Sequence, residues 1–147
     1  MYIAFKINQL SSWADIEIGS GDNKYVFSVS KVLSDDFFQR LLQIIINIKR
    51  GEKNDIHLKA GMEAEGWLWL VFLHYPHNLI KLEIYRDIDW HQYDDPLEEP
   101  PMPVPVFATM IDPHWFANQI VDAIKKYKPE DFYCFAYPQD EMDELKK

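Results

Sequence analysis

The stretch Trp67-Leu68-Trp69-Leu70-Val71-Phe72-Leu73-His74 decides the fold of this chain. Every residue before the histidine is apolar, whereas a half-buried strand alternates apolar and polar side chains. A continuous apolar run bounded by turn residues is typical of a central strand that is covered on both faces. The run therefore predicts a sheet with this segment in its interior.

Segments on both sides of this run predict the other strands. Alternation of apolar and polar residues predicts strands at 2–10, 14–18, 24–33, 55–60 and 80–84. A further strand is predicted at 104–111, where Pro105 favours an edge position or a strand start. The turn residues at 19–23 predict that the second and third strands pair as a hairpin. Connections as short as these favour antiparallel pairing.

Two segments carry helix signals. Ser34 is predicted to cap the first helix and Gly51 to end it in a left-handed conformation. The polar residues between them fall on one narrow stripe, so this helix is predicted to be mostly buried. Asp112 and Pro113 open the second helix as its cap and its first residue. A last short strand is predicted at 132–137, before an acidic tail.

The predicted element order is βββαβββ(β)αβ. It indicates an α+β fold, a single antiparallel β-sheet with two α-helices packed on one face. The chain has 147 residues, the size of one domain, so residues 1–147 are predicted to form a single α+β domain. Residues 87–103 combine acidic residues with prolines and predict a long surface loop within it.

The charge balance restricts the partners. The formal charge is −9, from 24 acidic and 15 basic residues. A negative field repels phosphate backbones and anionic lipid, so neither nucleic acid nor a membrane is expected, and a basic protein is favoured. Solubility alone is the alternative explanation. Cys134 is the single cysteine, and the first residues are too polar for a signal peptide, so a cytoplasmic location is expected.

The acidic loop contains the candidate binding residues. Aromatic anchors surrounded by charge are typical of protein–protein hot spots. The candidate partner-binding residues are Trp90, Tyr93, Asp94, Asp95, Glu98 and Glu99. A solvated loop without a binding role is the alternative.

No catalytic, metal or cofactor motif is complete. The chain has no Gly-x-Ser-x-Gly elbow and no glycine-rich phosphate cradle. His74 and His77 flank a turn but supply only two of the three or four ligands that zinc needs. His91 with the neighbouring Asp94 and Asp95 is a second candidate, in the loop. The sequence therefore predicts no cofactor and no structural metal, and it favours a non-enzymatic protein.

Several aromatic segments resemble a known family. They are Gly66-Trp67-Leu68-Trp69-Leu70, Leu82-Glu83-Ile84-Tyr85, the run 107–116, and Tyr133, Phe135 and Tyr137-Pro138 with Leu145. This arrangement resembles a family of small bacterial α+β proteins, some of which are regarded as immunity proteins of polymorphic toxin systems. The resemblance implies a toxin domain as partner and brings no catalytic residues.

Two functional hypotheses follow. The leading one is a non-enzymatic protein, such as an immunity-type inhibitor, that recognises a basic partner through its acidic aromatic loop. The alternative is a small enzyme or ligand-binding protein with a pocket between sheet and helices. The two hypotheses place the important residues in different parts of the chain.

Overall fold

The computed structural model describes residues 2–7, 13–30, 35–53, 55–61, 66–87, 104–132 and 135–146. The strands in this part are β1 (Tyr2–Ile7), β2 (Trp13–Ser20), β3 (Asn23–Ser30), β4 (Ile56–Gly61), β5 (Trp67–Tyr75), β6 (Leu79–Asp87) and β7 (Phe107–Ile111). The α-helices are α1 (Phe37–Lys49), α2 (Pro113–Lys125) and α3 (Gln139–Leu145), and Pro76–Asn78 and Pro129–Phe132 are short 3-10 turns. This composition confirms the predicted α+β class.

All strand pairs in the described residues are antiparallel. Strands β1, β2 and β3 form one sheet, and β4, β5, β6 and β7 form a second sheet, each in chain order. The predicted hairpin between the second and third strands is confirmed, because Ser20 pairs with Asn23 across a two-residue turn. The continuous apolar run is an interior strand, since β5 lies between β4 and β6.

The prediction of a single sheet was wrong. Strand β3 lies beside β4, but no ladder joins them among the described residues. The connection between them contains α1, so no tight hairpin enforces their pairing. Eight of the thirteen residues of α1 are buried, whereas packing on one sheet covers only a stripe roughly 100° wide. The helix is covered instead by β4, α2 and α3 together.

The two sheets and the helices share one hydrophobic core. The inner faces of the sheets contribute Ile16, Val29, Leu70 and Leu82, among others. The predicted apolar faces of the helices are buried in the same core: Phe38, Leu41, Leu42 and Ile45 in α1, and Phe116, Ile120 and Ile124 in α2. Helix α2 packs against β1 and α1 packs against β4, so the helices hold the two sheets together.

The helix ends agree in part with the predicted signals. The predicted cap Ser34 lies outside the described residues, and α1 begins at Phe37. Gly51 has φ +103°, and its N–H donates to the carbonyl of Ile48, as expected for a left-handed stop. The Asp112 side chain accepts a hydrogen bond from the Trp115 N–H at 3.0 Å, which confirms the cap of α2. Among the described residues, none of the helices combines the length and hydrophobicity that crossing a membrane requires.

The C-terminal segment differs from the prediction of a last strand. Pro129–Phe132 is a 3-10 turn, and the described residues of 132–137 contain no strand. The rings of Phe132 and Phe135 instead pack on Phe38, with centroid distances of 5.0 and 5.5 Å. The acidic tail then forms α3, which buries Met142. The helix went unpredicted because an acidic segment with one buried residue carries almost no apolar periodicity.

Candidate functional site

The loop residues predicted to bind a partner lie outside the described residues. This applies to all six of them, Trp90, Tyr93, Asp94, Asp95, Glu98 and Glu99, and to His91. Their role therefore stays a prediction. The described part of the chain offers a different site.

A cavity of about 390 Å³ opens where α1, the second sheet and α2 meet. It is lined by residues from the C-terminal end of α1 and its following turn (48–53), from the β5–β6 hairpin (74–80) and from the start of α2 (112–114). Ligand cavities commonly fall in the range of roughly 300–1,000 Å³. The cavity thus has a size and a position between sheet and helices that suit a small molecule.

His74 is the residue of this cavity with the least ordinary environment. It follows Leu70 and Phe72 on the core-facing side of β5, at the position paired with Ile80. Neither of its ring nitrogens is exposed to solvent or has a hydrogen-bond partner among the described residues. A buried polar atom without a partner costs about 1–3 kcal/mol. Among the described residues that line the cavity, His74 is thus the one with unsatisfied buried polar atoms.

The hairpin that follows His74 has an unusual backbone. His77 has φ +65° and Asn78 has φ +60°, both in the left-handed region that residues other than glycine adopt uncommonly. Such conformations cluster at ligand clamps and other functional sites. Here they place both side chains at the cavity, because His77 and Asn78 line it.

Cations and anions both line the cavity. Lys49 and Lys53 come from the end of α1 and its turn, and in the described part of the chain neither forms an ion pair with an acidic residue. The two acidic residues are already engaged, since Asp112 caps α2 and Glu52 makes an interaction of its own. His114 completes the wall at the start of α2. The histidine and lysine side chains supply the hydrogen-bond donors of the wall.

His74 and His77, which flank a turn and by sequence supply too few ligands for a zinc site, both line this cavity. Sequence reasoning missed Lys49, Lys53 and His114. Each of them is separated from the hairpin by more than twenty residues. The one local signal was His114, directly after the Asp112-Pro113 cap. A histidine at this position indicates a binding site only when the fold places it beside the hairpin.

The described residues contain no group of three or more His, Cys, Asp or Glu side chains arranged to hold a metal ion. Cys134 lies outside the described residues. The absence of a structural metal stays a prediction, and elemental analysis of untagged protein would check it.

A second polar cluster lies on the outer face of the second sheet. The Tyr85 hydroxyl donates to Glu83 Oε1 at 3.2 Å, and Lys81 Nζ lies 3.4 Å from Glu83 Oε2. Burial, and then the adjacent Glu83 carboxylate, raise the pKa of Tyr85 above its ordinary value. The buried Trp67, Trp69 and Val71 lie on the same face. This cluster therefore lies on the face of the second sheet opposite to the shared core.

The comparisons with known proteins give no relative. No family model, no curated protein and no solved structure matches this chain.

Proposed function

We propose that this chain is a ligand-binding protein that holds a small polar molecule in the cavity between the second sheet, α1 and α2. The observation that carries the proposal is the state of His74, whose two buried ring nitrogens lack partners on the wall of that cavity. Buried polar groups in folded proteins are nearly always hydrogen-bonded, and an exception points to a function, a bound partner or an ordered water. A ligand that bonds to one of these nitrogens removes part of the cost of burying them.

The neighbouring residues support the same function. His77 and Asn78 keep a costly backbone conformation at the cavity, and the ammonium groups of Lys49 and Lys53 have no acidic partner among the described residues. Glycine adopts this conformation without steric cost, whereas histidine and asparagine adopt it less readily and bring polar side chains to the cavity.

The test is a ligand screen in which binding is detected from the NMR signals of the His74 ring. Ring nitrogen resonances of ¹⁵N-labelled protein would be followed by NMR while a panel of neutral, anionic and cationic metabolites is added. We expect at least one compound to shift the His74 signals and those of His77 or His114, and to lose affinity in His74→Phe. His57, which lies on β4 away from the cavity, provides the control resonance. Compounds that shift all histidines equally, or none, would contradict the proposal.

The second candidate function is non-enzymatic binding of a basic protein, in line with the resemblance to immunity proteins. Tyr75, Leu79 and Met110 favour it, because they are 45%, 40% and 44% exposed. Their strand pairing puts them on the same outer face of the second sheet. A chain with a formal charge of −9 attracts a basic partner, and exposed apolar side chains can then supply the anchor.

This second function has its own test. Proteins captured from the source organism would be identified, and a purified basic partner would be titrated with variants. Two variants should each weaken binding and reduce or alter its salt dependence. The first has lysine in place of Asp94, Asp95, Glu98 and Glu99, and the second has lysine in place of Met110. Asp122→Lys, on the exposed side of α2, is the control for a single charge reversal outside the loop. If both test variants bind with wild-type affinity, neither the acidic loop nor the exposed apolar residues Tyr75, Leu79 and Met110 form the interface.

A further inference from the structure

We propose that the cavity ligand is an oxyanion, a molecule that presents a carboxylate or phosphate group to His74, His77, His114, Lys49 and Lys53. This inference rests on the proposed ligand-binding function and names the chemical class of the ligand. It begins with the distribution of histidines. Three of the five histidines in the chain line this one cavity. Two of them belong to the β5–β6 hairpin, and the fold brings the third, His114, to the same wall from the start of α2.

The hydrogen-bonding inventory of the wall favours an acceptor ligand. Each ammonium group offers three donors and no acceptor, and each imidazole offers one donor when neutral and two when protonated. Lys49 and Lys53 form no ion pair within the described residues, although the chain as a whole is strongly acidic. Unpaired ammonium groups beside three imidazoles form a local set of donors that can bind the oxygens of a carboxylate or phosphate.

The wall also carries two acidic residues, Asp112 and Glu52, whose charges offset those of Lys49 and Lys53. The Asp112 carboxylate accepts the N–H of Trp115, and the backbone carbonyl of Asp112 accepts the N–H of Phe116 at 2.9 Å. Asp112 thereby satisfies much of the start of α2, so the helix terminus itself contributes little to anion binding. Glu52 has an interaction of its own. An oxyanion is therefore expected to bind through the donors of the histidine and lysine side chains and not through a net positive charge of the wall.

Isothermal titration calorimetry of the full chain with inorganic phosphate and with citrate would test the class and separate the two sources of oxyanion. We expect one of the two to bind, with affinity about tenfold lower in Lys53→Ala, the loss of one charge-assisted hydrogen bond. Lys126→Ala removes the same charge at the far end of α2 and should leave affinity unchanged. Lys53 is exposed, so its replacement should not impair folding. A second variant, His74→Gln, tests the contact between the ligand and the imidazole.

The possible outcomes distinguish a failure of the oxyanion assignment from a failure of the proposed ligand-binding function. Binding of phosphate or citrate that depends on Lys53 and His74 supports both. If only neutral or cationic compounds shift the His74 resonances, the cavity binds a ligand but the oxyanion assignment is wrong. If an oxyanion binds equally well to Lys53→Ala, His74→Gln and Lys126→Ala, it binds elsewhere and the inference is overturned. If no compound of any class reaches His74, both proposals fail.

Discussion

The side chain of Asp55 accepts a hydrogen bond from the backbone N–H of His74, with Oδ1 and N 3.2 Å apart. Asp55 directly precedes β4, and His74 lies near the end of β5, beyond the last ladder pair of these strands, Ile56 with Phe72. The carboxylate thus extends the pairing of β4 and β5 past the end of the regular ladder. It holds the backbone that presents the His74 imidazole to the cavity.

Replacing Asp55 by alanine should loosen this end of the sheet. We expect the free energy of unfolding to fall by about 0.5–1.5 kcal/mol, the net contribution of one hydrogen bond, as measured by urea denaturation. Affinity for the cavity ligand should fall as well, because His74 is less well positioned. Asp122→Ala, which removes an exposed carboxylate from α2, is the control. Unchanged stability and affinity in Asp55→Ala would show that the contact has no positioning role.

Replacing His77 by glycine should raise stability and weaken ligand binding together. Glycine adopts φ +65° without the steric cost that other residues incur, whereas His77→Ala keeps that cost and also loses the imidazole. We therefore expect His77→Gly to be more stable than His77→Ala by about 1 kcal/mol, with both binding ligand equally poorly. Thermal and urea unfolding of the two variants would measure the difference. Equal stabilities would mean that the left-handed backbone is not strained.

Replacing Leu42 by alanine should destabilise the whole fold. Leu42 is completely buried in α1, within the core shared by both sheets, so its truncation leaves a cavity. The expected loss is about 2–5 kcal/mol in the free energy of unfolding. Gln43→Ala, at the neighbouring exposed position, should change stability by no more than about 0.5 kcal/mol. A loss below about 1 kcal/mol in Leu42→Ala would show that this face of α1 is not core.

Alkaline pH should destabilise the protein through Tyr85. Its pKa is raised in the folded state by burial and by Glu83, so the unfolded chain loses the tyrosine proton at a lower pH than the folded chain does. The contribution of the neutral phenol is fully present below about pH 10, and it is lost as the pH rises further. Urea denaturation from pH 8 to 11 should show this loss in wild type and in the control Tyr75→Phe.

The variant Tyr85→Phe cannot ionise at this position, and it also lacks the hydrogen bond to Glu83. It should be less stable than wild type at neutral pH, and the gap should narrow above about pH 10. A gap that stays constant across this range would show that the raised pKa of Tyr85 does not affect folding.

Periodicity predicted most of the secondary structure because it reflects local chemistry. Alternation located the strands, and the Asp112-Pro113 cap located α2, since both signals act between residues a few positions apart. The same logic failed at 132–137, where Phe132 and Phe135 satisfy their hydrophobicity against Phe38, nearly one hundred residues away in the chain. Aromatic residues in a short segment fit a strand and a ring cluster equally well.

The sequence by itself determined the α+β class, the interior position of β5 and the presence of His74 and His77 around one turn. Only the tertiary structure decided that the strands divide into two sheets and that Lys49, Lys53 and His114 join those histidines. The reason is physical. Hydrophobic periodicity specifies which face of each element is buried, but it does not specify which other element packs against that face. A cavity at the meeting point of three elements depends on that second choice.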